Sequence, residues 1–280
     1  MLDQRSLVSL ITGNNSILYS ISLFISSSYK LLSCLLPLSL VLSLWCSFAT
    51  ADEVTVAVAS NFITPMQKLA AEFEQKTPHT IKLVSGSSGR FFAQISHGAP
   101  FDLFLSADSE KPQKLIDAGL ALSDSLFTYA YGRLVLWTAN VDQVVTATNL
   151  LNTQFDHLAI ANAKLAPYGK AAKEVLVQLG LEKETRSKWV VGENISQTYQ
   201  FVASKNAQYG FIAASQWHGQ GSGWRVPDTL HQPIQQDAVI LKRAKNNKAV
   251  FELVDYLQSS AAAVIIQDYG YQVARESSKH

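Results

Sequence analysis

The sequence predicts a two-lobed α/β fold with a ligand cleft between the lobes, preceded by a leader that stands apart from the folded chain. Three observations lead there. Apolar runs of strand length alternate with amphipathic stretches of helical period, the pattern of repeated βα units around a mixed, mostly parallel sheet. The alternation restarts after residues 129–132, so a second set of units follows the first. Two uncharged segments, Ala57-Val58-Ala59-Ser60-Asn61 and Gly86-Ser87-Ser88-Gly89, each close an apolar run and open a helix. They put hydroxyl, amide and backbone N–H donors at helix N-termini, where an anion is held without a full positive charge.

The elements follow in order. A first strand is expected over 54–59. Thr64 and Pro65 then supply an N-cap and an N1 proline, and Met66, Leu69, Ala70 and Phe73 follow at helical spacing. A strand over 81–84 leads to a helix that begins near Gly89 and carries Phe92 and Ile95. A short buried strand over 103–105 precedes a helix capped by Ser106 or Asp108 and carrying Leu115 and Ile116.

The second set opens with a strand at 134–137. A strand at 158–161 leads through Pro167-Tyr168-Gly169 into a helix with Ala171, Val175 and Leu179. Another at 189–191 leads through Asn194-Ile195-Ser196 into a helix with Tyr199 and Val202. A strand at 210–214, a Gly- and Trp-rich loop over 217–224, a strand at 238–241 and helices over 249–257 and 261–269 complete the chain. A late return to the first lobe gives lobe one as 52–129 and 237–280, and lobe two as 130–236. Strand ends and the helix starts after them then line the cleft.

Residues 1–51 read as a leader. Lys30 is followed by the apolar stretch 31–45, and Ala49-Thr50-Ala51 has the small-x-small pattern of a cleavage site. Cleavage after Ala51 leaves about 229 residues, enough for one large domain or two small lobes. An uncleaved anchor is the alternative; the apolar stretch is short for a span of about 20 residues. Both cysteines, Cys34 and Cys46, lie in the leader, so the exported chain has no thiol for a disulfide, metal site or nucleophile. The chain carries a net charge of +1, and Arg5 and Lys30 against Asp3 put that charge in the leader. A near-neutral remainder without a basic block argues against nucleic acid as a partner.

A fully deprotonated oxyanion only accepts hydrogen bonds, so its ideal site holds donors and no carboxylate. Neither donor-rich segment contains Asp or Glu. Taken singly, Gly86-Ser87-Ser88-Gly89 is a polar turn and Ser60-Asn61 a helix entry; their joint occurrence after successive strands favours a site. Asp102 and Asp108 are read as turn and cap residues. Arg90 is either an anion-steering group at the cleft mouth or a solvated helix residue, and Glu193 either a hinge partner or a surface residue. Trp217 and Trp224 are expected to pack or cover a loop. The histidines, at 79, 97, 157, 218, 231 and 280, lack metal-ligand spacing.

Ala59-Ser60-Asn61, Gly86-Ser87-Ser88-Gly89-Arg90 and the run from Gly98 to Asp108 together resemble the periplasmic molybdate-binding proteins of ABC transporters. So do Phe127-Thr128-Tyr129-Ala130, Gly132-Arg133-Leu134-Val135-Leu136-Trp137, Leu165-Ala166-Pro167-Tyr168-Gly169 and Gly192-Glu193-Asn194-Ile195. The resemblance runs from Asp52 to about Ala274 and rests on the order and spacing of the motifs. It implies the two-lobed type II periplasmic-binding-protein fold and capture of molybdate, with tungstate as a close analogue. The anion's donors would be Ser60, Asn61 and Ser88 from lobe one, and the backbone N–H groups of Tyr168 and Ile195 from lobe two. Some members add a tyrosine hydroxyl from a later strand; Ala213 stands at that place here, which leaves the fifth contact open.

The resemblance further implies export to the periplasm, delivery to a membrane ABC permease, a monomer, no cofactor and no protein-held metal. A receptor for sulfate or another oxyanion is the alternative within the class. A serine hydrolase is the rival class, but Ser60 and Ser88 lack the Gly-x-Ser-x-Gly elbow and an assignable His-acid pair. The ligand-sensing part of a transcription regulator would carry no export leader.

Overall fold

The computed structural model describes residues 51–273 apart from 153 and 218. The leader residues 1–50 with Cys34 and Cys46, and also His218 and His280, lie outside the described residues.

The first unit runs β1 (Glu53–Ala59), α1 (Ile63–Lys76), β2 (Thr80–Gly86), α2 (Ser88–Ser96), β3 (Leu103–Leu105), α3 (Glu110–Asp117) and β4 (Phe127–Gly132). The second runs β5 (Leu134–Thr138), α4 (Ala147–Leu151), β6 (Leu158–Ala161), α5 (Pro167–Gln178), α6 (Glu182–Thr185), β7 (Trp189–Gly192), α7 (Ile195–Ala203), β8 (Tyr209–Ala213) and β9 (Ser222–Arg225). The chain then returns through β10 (Ile234–Ile240), α8 (Lys248–Leu257) and α9 (Ser260–Asp268).

Two five-stranded sheets result, ordered β2-β1-β3-β10-β4 and β7-β6-β8-β5-β9. In each, four strands run one way and one runs against them, β10 in the first and β5 in the second. Both reversed strands directly follow a crossing between the sheets. Only Arg133 separates β4 from β5, and 226–233 links β9 to β10. Arg133 pairs with Asp228, so the two crossings are tied to each other.

Alternation along the strands explains why both faces are covered. Val54, Val56 and Val58 face the core filled by Met66 and Phe73 of α1, Leu253 of α8 and Ile265 of α9. Ala57, Phe104 and Val239 face the opposite core with Phe91 of α2 and Leu115 of α3. In the second sheet Leu134, Leu136, Ile160 and Phe211 pack on Ala172 and Val175 of α5. Val135, Trp137, Ala159 and Ile212 pack on Val202 of α7.

Several local expectations shift. A 3-10 turn, Ser60–Phe62, runs straight into α1, whose N-cap is Phe62. Thr64 and Pro65 therefore sit inside its first turn, where the missing proline N–H costs nothing because that amide has no helical partner. Neither Ser106 nor Asp108 is the N-cap of α3, which starts after Ser109. Asp108 nevertheless accepts the Lys111 N–H at 3.0 Å. The Gly- and Trp-rich loop contains the edge strand β9, paired with β5. β10 begins at Ile234, taking Gln235, Gln236 and Asp237 into the sheet opposite β4. Those three polar residues conceal the strand in the sequence and are satisfied by tertiary partners.

Candidate functional site

The ends of β1 and β2 and the starts of α2, α5 and α7 meet at one small cavity. It is lined by Ser60, Asn61, Ser87 and Ser88 from one side and by Pro167, Tyr168, Asn194 and Ile195 from the other, with Ala59, Gly86, Ala107 and Ala166 between them. All five residues expected to hold an anion are thus brought together. The lining contains no carboxylate, ammonium or guanidinium group. It is far smaller than the roughly 300–1,000 Å³ of pockets that take drug-sized organic ligands.

Each donor has a local cause. Ser88 is the first residue of α2 and is buried; its Oγ accepts the Ala107 N–H at 2.9 Å, which leaves its hydroxyl proton free to donate. Ser60 sits in the 3-10 turn, buried, and its hydroxyl makes no hydrogen bond among the described residues. Pro167 occupies the first position of α5, so Tyr168 offers the first N–H of that helix. Ile195 opens α7, whose N-cap Asn194 accepts the Gln197 N–H at 3.0 Å. The first-turn amides at 168 and 195 have no intrahelical acceptor and carry the positive end of the helix dipole.

Asn61 behaves differently from its neighbours. Its side-chain amide donates to Gln236 Oε1 at 2.7 Å and to the Tyr271 hydroxyl at 3.0 Å. Both side-chain N–H groups are occupied, so only the backbone N–H of Asn61 is available to a ligand. Behind the cavity this builds a buried polar cluster that links both lobes. Tyr129 Oη lies 3.1 Å from Gln236 Oε1 and 2.9 Å from the Ser106 carbonyl, and Gln236 Nε2 donates to the Tyr168 hydroxyl at 3.4 Å. Ser215 and Tyr271 donate to the Asn61 carbonyl at 2.8 and 2.7 Å. Burial pushes the Tyr129 and Tyr168 hydroxyls well above the usual tyrosine range and that of Tyr271 up to about 12. The cluster is therefore neutral at physiological pH.

Two features are not assigned by the sequence, and a third was left open there. The Ser87 Oγ is buried without a partner and its residue lines the cavity; as N-cap of α2 it makes no capping bond. Its position next to Ser88 was the available signal. Gln236 and Tyr271 were invisible because their partners lie 175 and 210 residues away. Arg90 and Glu193, each left open between two roles, form an ion pair across the cleft at 2.6 Å, both about half exposed. Asp102 accepts the Thr55 N–H at 2.8 Å and pairs with Arg243 at 2.8 Å, a structural role away from the cavity. Trp224 is in β9 and packs against the second core, as does Trp217 against the smaller cluster on the other face. Ala213, at the place of the alternative tyrosine, is fully buried.

The profile of the family described as bacterial extracellular solute-binding protein matches residues 54–272. The chain belongs to that family. Within it, the chain is 48% identical over 229 residues to the molybdate-binding protein ModA of Azotobacter vinelandii, covering 80% of this chain and 91% of that one. It is 46% identical over 225 residues to ModA of Rhodobacter capsulatus, covering 80% and 89%. The solved structure of the Azotobacter vinelandii periplasmic molybdate-binding protein superposes with a TM-score of 0.77 at 36% identity, over 79% of this chain and all of that chain. Family membership accounts for the paired sheets and the cleft, and the lining of the cavity narrows what the cleft holds.

Proposed function

We propose that this chain captures molybdate, and tungstate as its near twin, outside the cytoplasmic membrane and delivers it to an ABC-type permease. The observation that carries the reading is a small interlobe cavity walled by hydroxyls and helix N-termini and by no charged side chain. Identity of 46–48% to two molybdate-binding proteins supports the same ligand.

In this reading Ser60 Oγ, Ser88 Oγ and the backbone N–H groups of Asn61, Tyr168 and Ile195 donate to the four oxygens. Each charge-assisted bond contributes roughly 1.5–3 kcal/mol, and each helix N-terminus roughly 0.3–2 kcal/mol. A dianion fits such a wall better than hydrogen phosphate, whose proton needs an acceptor. Sulfate is smaller, so fewer donors reach it at once.

The anion lands on lobe one and closure brings up the amides of α5 and α7. Lobe one is taken as 52–129 with 237–280 and lobe two as 130–236. The hinge lies in the paired strands β4 and β10, where Tyr131 faces Gln235 and the register shifts between Gln236 and Asp237. The protein works in the periplasm as a monomer, after removal of the leader through Ala51, and binds its cargo without reacting it or using a cofactor.

Calorimetry of the mature chain with molybdate, tungstate, sulfate and phosphate tests this. Tight binding of the first two and weak or absent binding of the others is expected. Equal affinity for sulfate would overturn the ligand assignment.

A further inference from the structure

One glycine at the cleft is unexplained by its own backbone. Gly89 is the second residue of α2 and has no positive φ, so an L-residue is conformationally at home there. Alanine would favour the helix by up to about 1 kcal/mol. The reason for glycine lies across the cleft. The Gly89 N–H donates to the Leu165 carbonyl of the opposite lobe at 2.8 Å. A Cβ at position 89 would stand 2.8 Å from Leu165 Cα and 2.9 Å from its carbonyl oxygen. Both are backbone atoms, and no rotamer change relieves the collision.

Leu165 cannot easily retreat. Its N–H donates to the Asn162 carbonyl at 3.0 Å, and the following Ala166 N–H donates to the same oxygen at 2.8 Å. The Asn162 side chain accepts the Lys164 N–H at 2.9 Å. This turn leads directly into α5 and its first amide at Tyr168. The distance between α2 and the turn therefore sets how near the lobe-two amides come to the serines of lobe one.

We infer that Gly89 is a positioning residue for anion capture: the contact of its bare backbone with Leu165 sets the depth of lobe closure and hence the affinity. The inference rests on the reading that an anion is clamped between the lobes. Its chemistry is independent of which oxyanion that is. The Ser196 hydroxyl bond to the Ser60 carbonyl at 3.1 Å spans the cleft alongside it.

The test compares wild type with Gly89→Ala and Gly89→Ser in the mature chain. It uses spin labels at Ser96→Cys and Ser204→Cys, exposed sites on α2 and just beyond α7. The mature chain has no native cysteine to interfere. Interlobe distance and affinity are read with molybdate, tungstate and sulfate, and melting temperature without anion confirms that each variant folds. Wild type should shorten its label distance with its preferred anion. Gly89→Ala should melt no lower without anion, bind that anion at least tenfold more weakly and stay more open at saturation, and Gly89→Ser should lose more. If wild type closes and Gly89→Ala matches its affinity and distance, the inference is wrong while the anion reading stands. If wild type closes on no anion, both fall.

Discussion

The two sheets share a strand plan, yet they meet the cleft with different chemistry. The first lobe presents side chains: the hydroxyls of Ser60, Ser87 and Ser88 stand at the ends of β1 and β2. The second presents backbone: the amides of Tyr168 and Ile195 open α5 and α7, while their side chains point away. Tyr168 reaches back to Gln236, and Ile195 is 2% exposed in the second core. A side-chain donor can be deleted by one substitution, whereas a backbone donor can only be displaced. The two halves of one site should therefore respond unequally to mutation.

The strongest break is expected in lobe one. Ser88→Ala and Ser60→Ala should each weaken molybdate binding by roughly 1.5–3 kcal/mol, about 10- to 150-fold. Ser60→Ala should leave anion-free stability nearly unchanged, whereas Ser88→Ala also strips the buried Ala107 N–H of its acceptor and should cost about 1–3 kcal/mol of stability. Tyr168→Phe, which keeps its amide, should leave affinity within a few-fold. Calorimetry on the three variants checks this, and equal losses in all three would erase the asymmetry.

Asn61 sharpens the contrast within lobe one itself. Asn61→Ala keeps the backbone N–H but strips Gln236 and Tyr271 of a partner, each nearly or fully buried. Unfolding in urea should show a loss of about 1–3 kcal/mol, larger than its effect on anion affinity. A variant as stable as wild type but unable to bind would mean that the side chain, not the backbone, meets the ligand.

The tyrosines behind the cavity predict an alkaline limit. Folding raises their pKa above the ordinary value of about 10, with Tyr271 reaching about 12. A group raised on folding contributes stability that is fully present below its unfolded pKa and is lost as pH rises through the folded one. Stability should stay flat up to about pH 10 and fall between there and about pH 12. Phenolate absorbance followed through that window should show late-titrating groups; uniform titration near pH 10 would count against a closed neutral cluster.

The smallest effect is expected at the cleft mouth. Arg90 and Glu193 are about half exposed, and such pairs contribute about 0–1 kcal/mol and are screened by salt. Glu193→Gln should lower affinity by less than about fivefold, and the difference should vanish at high ionic strength. A salt-independent loss would give the pair a larger part in closure.

Strand and helix identity was legible because it rests on local spacing. The alternation of Val54, Val56 and Val58 and the helical repeat of Met66, Leu69 and Phe73 state which residues face a core before any partner is known. The misplaced helix starts are local shifts of a turn or less, whereas the misplaced strands fell where tertiary partners replace local signals. The strand β9 is only Ser222, Gly223, Trp224 and Arg225, without apolar alternation, and in β10 the three polar residues that follow Ile234 look like loop.

The sequence by itself determined the two sets of βα units, the uncharged serine-bearing turns and the proline-started helix whose first amide is Tyr168. These are properties of neighbouring residues, set by side-chain period, backbone preference and hydrogen-bonding type. Only the tertiary structure decided that the Asn61 side chain serves Gln236 and Tyr271, that Ser87 is a buried hydroxyl without a partner, and that Gly89 must lack a Cβ. Each depends on atoms far apart in the chain meeting within hydrogen-bond or contact range, or on the enclosure such meetings produce. Chain spacing carries no record of that geometry.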